Sequence, residues 1–351
     1  MTLAPARPMG GGAAALDPIV PISRLFGLSM VVLGLVFVLS SGLAFWGDWP
    51  GVPALFAHLG WFGLGSAGGA LDSGALTLGW VQFGLYLASV AGVAVYVQTT
   101  PERTLNADSE TLSAFAAYII GAAYWAVLLI GIADMVISFL RVEGLLTGIL
   151  GEDLAKDLGR SSYRGQAVHY PLMVVSLVIA YFRRSLGFPW LALLIVVAEI
   201  QIVIARFVFS YEQAFMADLV RFWYGALFLF ASSYTLIQEG HVRVDILYTG
   251  FSERGKAWSN SVGSVLLGMP LCWVVLTMGM WGKSNVISGP VLNFEVTQAG
   301  YGLYVKYLLA AFLLIFALSM LVQFASYFLS NVAVLLREPG HHPDTREHVA
   351  V

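Results

Sequence analysis

The 351-residue chain has a single cysteine, Cys272, set inside an apolar run. One thiol excludes an internal disulfide framework and any multi-cysteine metal or iron–sulfur site. Charge is nearly as scarce. Only 11% of residues are charged and 58% are hydrophobic, where soluble domains carry roughly a quarter charged residues. Mean hydropathy is strongly positive, so the bilayer is the expected solvent. The net charge of −3 gives nucleic acid nothing to bind. Membrane haem needs histidines at matched depth on facing helices. The chain has His58 and His241 in loops, and His341, His342 and His348 in a polar tail. Only His169 stands near a span, at its start, where it reads as an interface residue. The glycine-rich Gly63–Gly74 lacks the Lys-Ser/Thr ending and the preceding strand of a phosphate loop; small residues there suit close packing or a re-entrant turn. No catalytic, cofactor-binding or metal-binding residues are expected, and the chain does not read as an enzyme.

What is present is long apolar runs. A spanning helix needs about 20 mostly apolar residues. Eight runs qualify: Ile22–Trp46, Gly74–Val97, Thr111–Leu140, Ala167–Phe182, Trp190–Phe209, Leu219–Ile237, Ala257–Trp281 and Gly302–Leu335. The expected fold class is therefore all-α, a polytopic integral membrane helical bundle. The first run, with Arg24 near its start and "SSG" late in it, resembles a secretory signal but is read as a retained span. The last run exceeds what a bilayer requires, so its end is expected to project into water.

Lys and Arg bias sets orientation. With both ends cytoplasmic, Arg7, Arg24, Arg103, Arg183, Arg184, Arg243, Arg254, Lys256, Arg337 and Arg346 lie inside. Arg141, Lys156, Arg160, Arg164 and Lys283 lie outside, with Lys306 at the border. The exceptional outer loop, Arg141–Arg164, also carries acids, and "GEDLAKDLGR" has short amphipathic-helix character. Arg183-Arg184 followed by "SLGFPW" marks a joint. The chain divides into an N-terminal tail (1–21), a four-helix half (22–184), a second four-helix half (185–337) and a disordered polar tail (338–351).

Charges within spans are costly and often functional. Glu199 is the intramembrane acid nearest the middle of its span. Asp134, Arg206 and Arg221 lie close enough to ends to snorkel or pair. Pro270 is the clearest interruption of a span and reads as having no counterpart in the first half, so the matched broken helices of secondary-transporter cores are not evident.

Three stretches carry a family resemblance: "ARFVFSYEQAF" (Ala205–Phe215), then "YGALFLFASSYTLIQEGHVRVD" (Tyr224–Asp245), and overlapping its end "GHVRVDIL" after an apolar span. Together these resemble the small membrane subunit of TRAP transporters, the DctQ type, from about Trp190 to the end of the last span. The first half resembles the added helices of enlarged small subunits and holds no sharp motif of its own. The resemblance implies a scaffold subunit of a tripartite importer. Its partners are a large TRAP membrane subunit, which holds the sodium and substrate sites, and a periplasmic substrate-binding protein. The substrates implied are organic acids, and the location is the bacterial inner membrane, multi-pass. Membrane lipids complete the expected surroundings. Other readings are an accessory subunit of another membrane complex and a membrane anchor of a redox complex.

Two site expectations follow. The signature Gly240, His241, Val242, Arg243, Val244 and Asp245 opens a flat interfacial arm helix, running to Trp258, because a lone strand there leaves its backbone unpaired. Arg206, Glu212, Asp218 and Arg221 reach one depth at the outer end of the fifth and sixth spans. Asp218 and Arg221 stand three apart, a spacing at which helical side chains meet. These four are expected to form an ionic clasp.

Overall fold

The computed structural model describes residues 18–63, 71–182, 188–211, 213–237, 248, 250–296 and 302–338. Its elements are α1 (Ile19–Trp46), α2 (Val52–His58), α3 (Ser73–Thr99), α4 (Leu105–Val142), α5 (Leu146–Leu150), α6 (Glu152–Leu158), α7 (Ser161–Arg164), α8 (Tyr170–Phe182), α9 (Phe188–Val208) and α10 (Ala214–Ile237). After these come α11 (Glu253–Gly263), α12 (Met269–Met280), α13 (Ser288–Leu292) and α14 (Lys306–Leu336). Among the described residues there is no strand. Eight helices among the described residues are long and apolar enough to cross a membrane, counting α7–α8 and α11–α12 as one continuous helix each. The chain is an all-α polytopic membrane bundle, as its composition requires, since a helix satisfies its own backbone in hydrocarbon.

α14 is the most buried span. It crosses α4 closely because small residues line both helices. Ser109 Oγ donates to Ser326 O at 2.8 Å, and Ser326 Oγ donates to Ser109 O at 2.7 Å. Two apolar clusters share this pair of helices. One joins α4, α9, α10 and α14 through Ile130, Ala198, Phe222, Phe230 and Phe312. The other joins α1, α4, α12 and α14 through Val31, Leu112, Cys272 and Leu321. Both clusters draw on residues from either side of Arg184. α3 packs against α1 and α2, and the fully buried Gln82 ties it there. Its Oε1 accepts from Gly51 N at 2.8 Å, and its Nε2 donates to Ser40 O at 3.2 Å.

Three expectations change. The end of α14 does not stand free: Asn331, Val332 and Ala333 are buried. Just beyond α14, Glu338 accepts from Leu105 N at 2.9 Å and from Asn106 N at 3.1 Å. α4 overruns the bilayer as well, with 38 residues or about 57 Å against an apolar core of about 30 Å. The two overlong helices cover each other, and a carboxylate fills the orphan donors of the α4 start. The seventh span begins at Glu253, with Ser252 Oγ accepting from Gly255 N at 3.2 Å. Residues 253–258 are thus its first turns rather than part of a flat arm. The polar tail from 339 onward lies outside the described residues.

Pro270 does have a counterpart. "GQAVHYP" and "SVLLGMP" both form a π turn that ends two residues before proline: Gly165–His169 ahead of Pro171, and Ser264–Gly268 ahead of Pro270. Tyr170 N–H bonds to Gly165 O, and Met269 N–H bonds to Ser264 O. A proline inside a helix lacks one donor and its ring crowds the carbonyl four residues back. One extra residue in the turn accommodates that carbonyl. Each π turn also carries a glycine under an aromatic ring. A Cβ on Gly268 would stand 2.7 Å from the Phe324 ring, and one on Gly165 would strike the Phe294 ring, which is itself held edge-on against Tyr307. Gly165→Ala and Gly268→Ala are each expected to cost about 1–3 kcal/mol by overpacking. Denaturant titration of the purified full chain in detergent checks this, and midpoints equal to wild type would contradict it.

Candidate functional site

Two buried charge clusters lie at opposite ends of the bundle, and the outward flank of α9 carries two further charges, Glu199 and Arg206.

The first cluster centres on Asp134 of α4, which is fully buried. Asp134 Oδ1 accepts from Arg164 Nη1 at 2.8 Å and lies 3.2 Å from His169 Nε2. Its Oδ2 accepts from the Tyr304 amide at 2.7 Å. His169 Nδ1 lies 2.8 Å from Tyr307 Oη. With Asp134 as acceptor, His169 Nε2–H donates to it, while Nδ1 and the Tyr307 hydroxyl share the second bond. Arg164 Nε donates to Leu158 O at 3.0 Å, and its Nη1 donates to Ser138 Oγ at 3.2 Å. Arg164 also lies 4.1 Å from the Tyr304 ring centre, with Arg141 at 4.9 Å from the same ring. Tyr304 Oη accepts from Arg141 Nη1 and donates to Gly159 O at 2.9 Å.

Local geometry builds this cluster. Asp134 and Ser138 are four apart on one helix face. The i→i+5 bond of the π turn brings Arg164 and His169, five apart, toward one face. His169 is therefore a buried member of a polar network and not an interface residue, because the π turn points it at Asp134. Asp134 pairs as expected of it, but deep in the protein.

The second cluster lies at the opposite end. Arg24 of α1 is 1% exposed. Its Nε donates to Asp108 Oδ2 at 2.7 Å, its Nη1 to Thr100 O at 2.6 Å and its Nη2 to Thr100 Oγ1 at 2.8 Å. Arg103 Nε donates to Asp108 Oδ1, and Arg103 Nη2 donates to Thr111 Oγ1 at 2.6 Å. One carboxylate thus holds two guanidinium groups.

Exposed loops add two weaker links. Lys283 Nζ sits 2.8 Å from Asp48 Oδ1, and this hydrogen bond and charge hold the Asp48 carboxyl below its usual range. The Tyr211 hydroxyl donates to Glu143, whose carboxylate pushes the phenol up.

The expected site residues divide unevenly. Asp218 Oδ1 accepts from Arg221 Nη1 at 3.3 Å, and Asp218 Oδ2 accepts from the Leu303 amide at 3.2 Å. Arg206 is exposed on α9 and stands apart from that pair. Glu212 lies outside the described residues, as do the signature residues Gly240, His241, Val242, Arg243, Val244 and Asp245. Beyond the signature, Tyr248 Oη donates to Asn260 Oδ1 at 3.1 Å. Asn260 Nδ2 in turn donates to Asn331 Oδ1 at 3.1 Å, near the end of α14.

α9 buries a narrow stripe, Leu191, Ile195 and Ala198, and packs chiefly on α10. Leu194 and Ile202 are partly buried against the same cluster, and Glu199, at the centre of the helix, is exposed. Glu199 is about 15 Å from either end of the helix, too far to reach water by snorkelling. An Asp at such a depth costs about 2.5–3.5 kcal/mol on insertion scales, and Glu is costly for the same reason.

Sequence reading did not find the Arg24–Asp108 and Asp134–Arg164 pairs. Their partners are 84 and 30 residues apart, and no local spacing marks them. A signal for His169 was available in the "HYP" that closes the π turn.

Residues 192–332 match the family model for the DctQ component of tripartite ATP-independent periplasmic transporters. Searches of curated proteins and of solved structures gave no significant match. That family is a transporter component and not a family of enzymes, and its model spans most of α9 and α14 with everything between them. Residues 192–332 are therefore similar to the DctQ small membrane component of TRAP transporters, and an N-terminal set of helices that the family model does not cover precedes them.

Proposed function

We propose that the chain is the scaffold subunit of a sodium-coupled importer of organic acids. In this reading it lies in the bacterial inner membrane with both termini cytoplasmic. It supports a large membrane subunit that carries the sodium and substrate sites, and it offers outer surface to a periplasmic substrate-binding protein. The observation that carries the reading is the family match over residues 192–332. The distribution of Lys and Arg supports the orientation. The Asp218–Arg221 pair and the Asp48–Lys283 link belong to the surface that would meet the binding protein.

The test is reconstitution of the full chain in liposomes under an imposed sodium gradient, with a panel of labelled carboxylic acids. The chain alone is expected to give uptake no greater than empty liposomes. Chain plus large subunit plus binding protein is expected to give sodium-dependent uptake. Sodium-dependent uptake by the chain alone would overturn the scaffold reading.

A further inference from the structure

Glu199 and Arg206 share one flank of α9. They are seven residues apart, about two helical turns, and both are exposed. Val196, Ile200 and Val203 beside them are also more than half exposed. Among the described residues of α9 and α10, these two are the acidic and basic groups without an intrachain partner; Asp218 and Arg221 hold each other. Arg206 is near the helix end, where its long side chain reaches the interface. Glu199 is at mid-depth and has no such route.

We propose that this flank of α9 seats a transmembrane helix of the large membrane subunit. That helix presents a hydrogen-bond donor or cationic side chain to Glu199 and an acceptor or acidic side chain to Arg206. The proposal rests on the scaffold reading and assigns the face through which the scaffold is held.

Charge selects this occupant. Lipid tails offer Glu199 no donor. A second copy of the chain fits badly. Copies in one membrane share a topology, so a symmetric pair through α9 has its two-fold axis along the membrane normal. Such a pair sets Glu199 against Glu199 at one depth and Arg206 against Arg206 at another. Like charges at close range in a low dielectric repel strongly. A different protein with the opposite order of charges is the arrangement that satisfies both groups.

The experiment co-expresses the tagged full chain with the large subunit and measures how much large subunit is recovered in detergent. Glu199→Leu is expected to lower recovery about tenfold or more, and Glu199→Lys to lower it further. Val197→Gln, on another exposed part of the same helix, is expected to stay within about twofold of wild type. Glu199→Leu is also expected to leave the thermal midpoint of the chain alone unchanged or raised, because it removes an exposed polar group that has no intrachain partner among the described residues. That contrast separates a partner-facing acid from one needed for folding. If wild type recovers the large subunit and both Glu199 variants do so equally well, the flank faces lipid, and this assignment falls while the scaffold reading stands. A wild-type chain that brings down no large subunit overturns both. An Ile200→Cys chain that crosslinks to itself in membranes, while the large subunit is present, gives the face to a second copy and overturns the assignment.

Discussion

Asp134→Leu is expected to destabilise the full chain by about 3–5 kcal/mol, the cost of leaving a buried ionic partner uncompensated. Arg164 has no exposure and would keep only its bonds to Leu158 O and Ser138 Oγ and its contact with the Tyr304 ring. The Tyr304 amide and His169 Nε2 would lose their acceptor as well. Asp134→Leu combined with Arg164→Met should recover much of the loss, since replacing a buried ion pair by apolar side chains is often neutral. Denaturant titration in detergent, followed by tryptophan fluorescence, measures both. If the single variant unfolds at the wild-type midpoint, the cluster does not hold the fold. If the double variant is no better than the single, the Asp134 acceptor role toward Tyr304 and His169 matters more than the charge pair.

Asp108→Ala is expected to cost a similar amount, about 3–5 kcal/mol, at the other end of the bundle. It would leave Arg24, at 1% exposure, facing Arg103 with no acid between them. Asp108→Asn keeps an acceptor and should lose less. Because Arg24 and Arg103 bind Thr100, Ala107 and Thr111 as well as Asp108, the α3–α4 turn should open. Proteolysis at 100–104 should therefore rise along with the loss of stability. Unchanged cleavage and an unchanged midpoint would show that Thr100 alone satisfies Arg24.

The two clusters differ in what they join. The Asp134 cluster joins α4, α7 and the first π turn to Tyr304 and Tyr307, which precede and open α14. α14 belongs largely to the family segment, whereas α4 and α7 precede it. The added helices are thus joined to the family segment by the hydrogen bonds of the Tyr304 amide to Asp134 and of His169 to Tyr307 and by the paired serines Ser109 and Ser326, with the Glu338 carboxylate on the start of α4 just beyond that segment. Loosening the Asp134 cluster is expected to loosen that junction before it affects the outward face of α9, whose buried stripe rests chiefly on α10.

Fold class and span number were legible in the sequence because bilayer thickness sets a length and the apolar core sets a composition. Eight runs of about that length and little charge leave few alternatives. The amphipathic "GEDLAKDLGR" likewise yields a helix at Glu152–Leu158. The family segment was legible because its motif is local: a short word following an apolar span. The depth of Glu199 within its span could also be counted along the chain. Whether Glu199 pointed inward or outward could not, because α9 is apolar on all sides and its periodicity names no buried face. The tertiary structure decided that, by packing Leu191, Ile195 and Ala198 against the core and leaving Glu199 outside. It also decided which charges pair. Arg24 with Asp108 and Arg164 with Asp134 meet through the packing of separate helices. The π turn before Pro171, which brings His169 to Asp134, depends on the same packing, with Gly165 close beneath Phe294. Ion pairing in a low-dielectric interior acts over a few ångströms, and distances of that size exist only once the helices are in place.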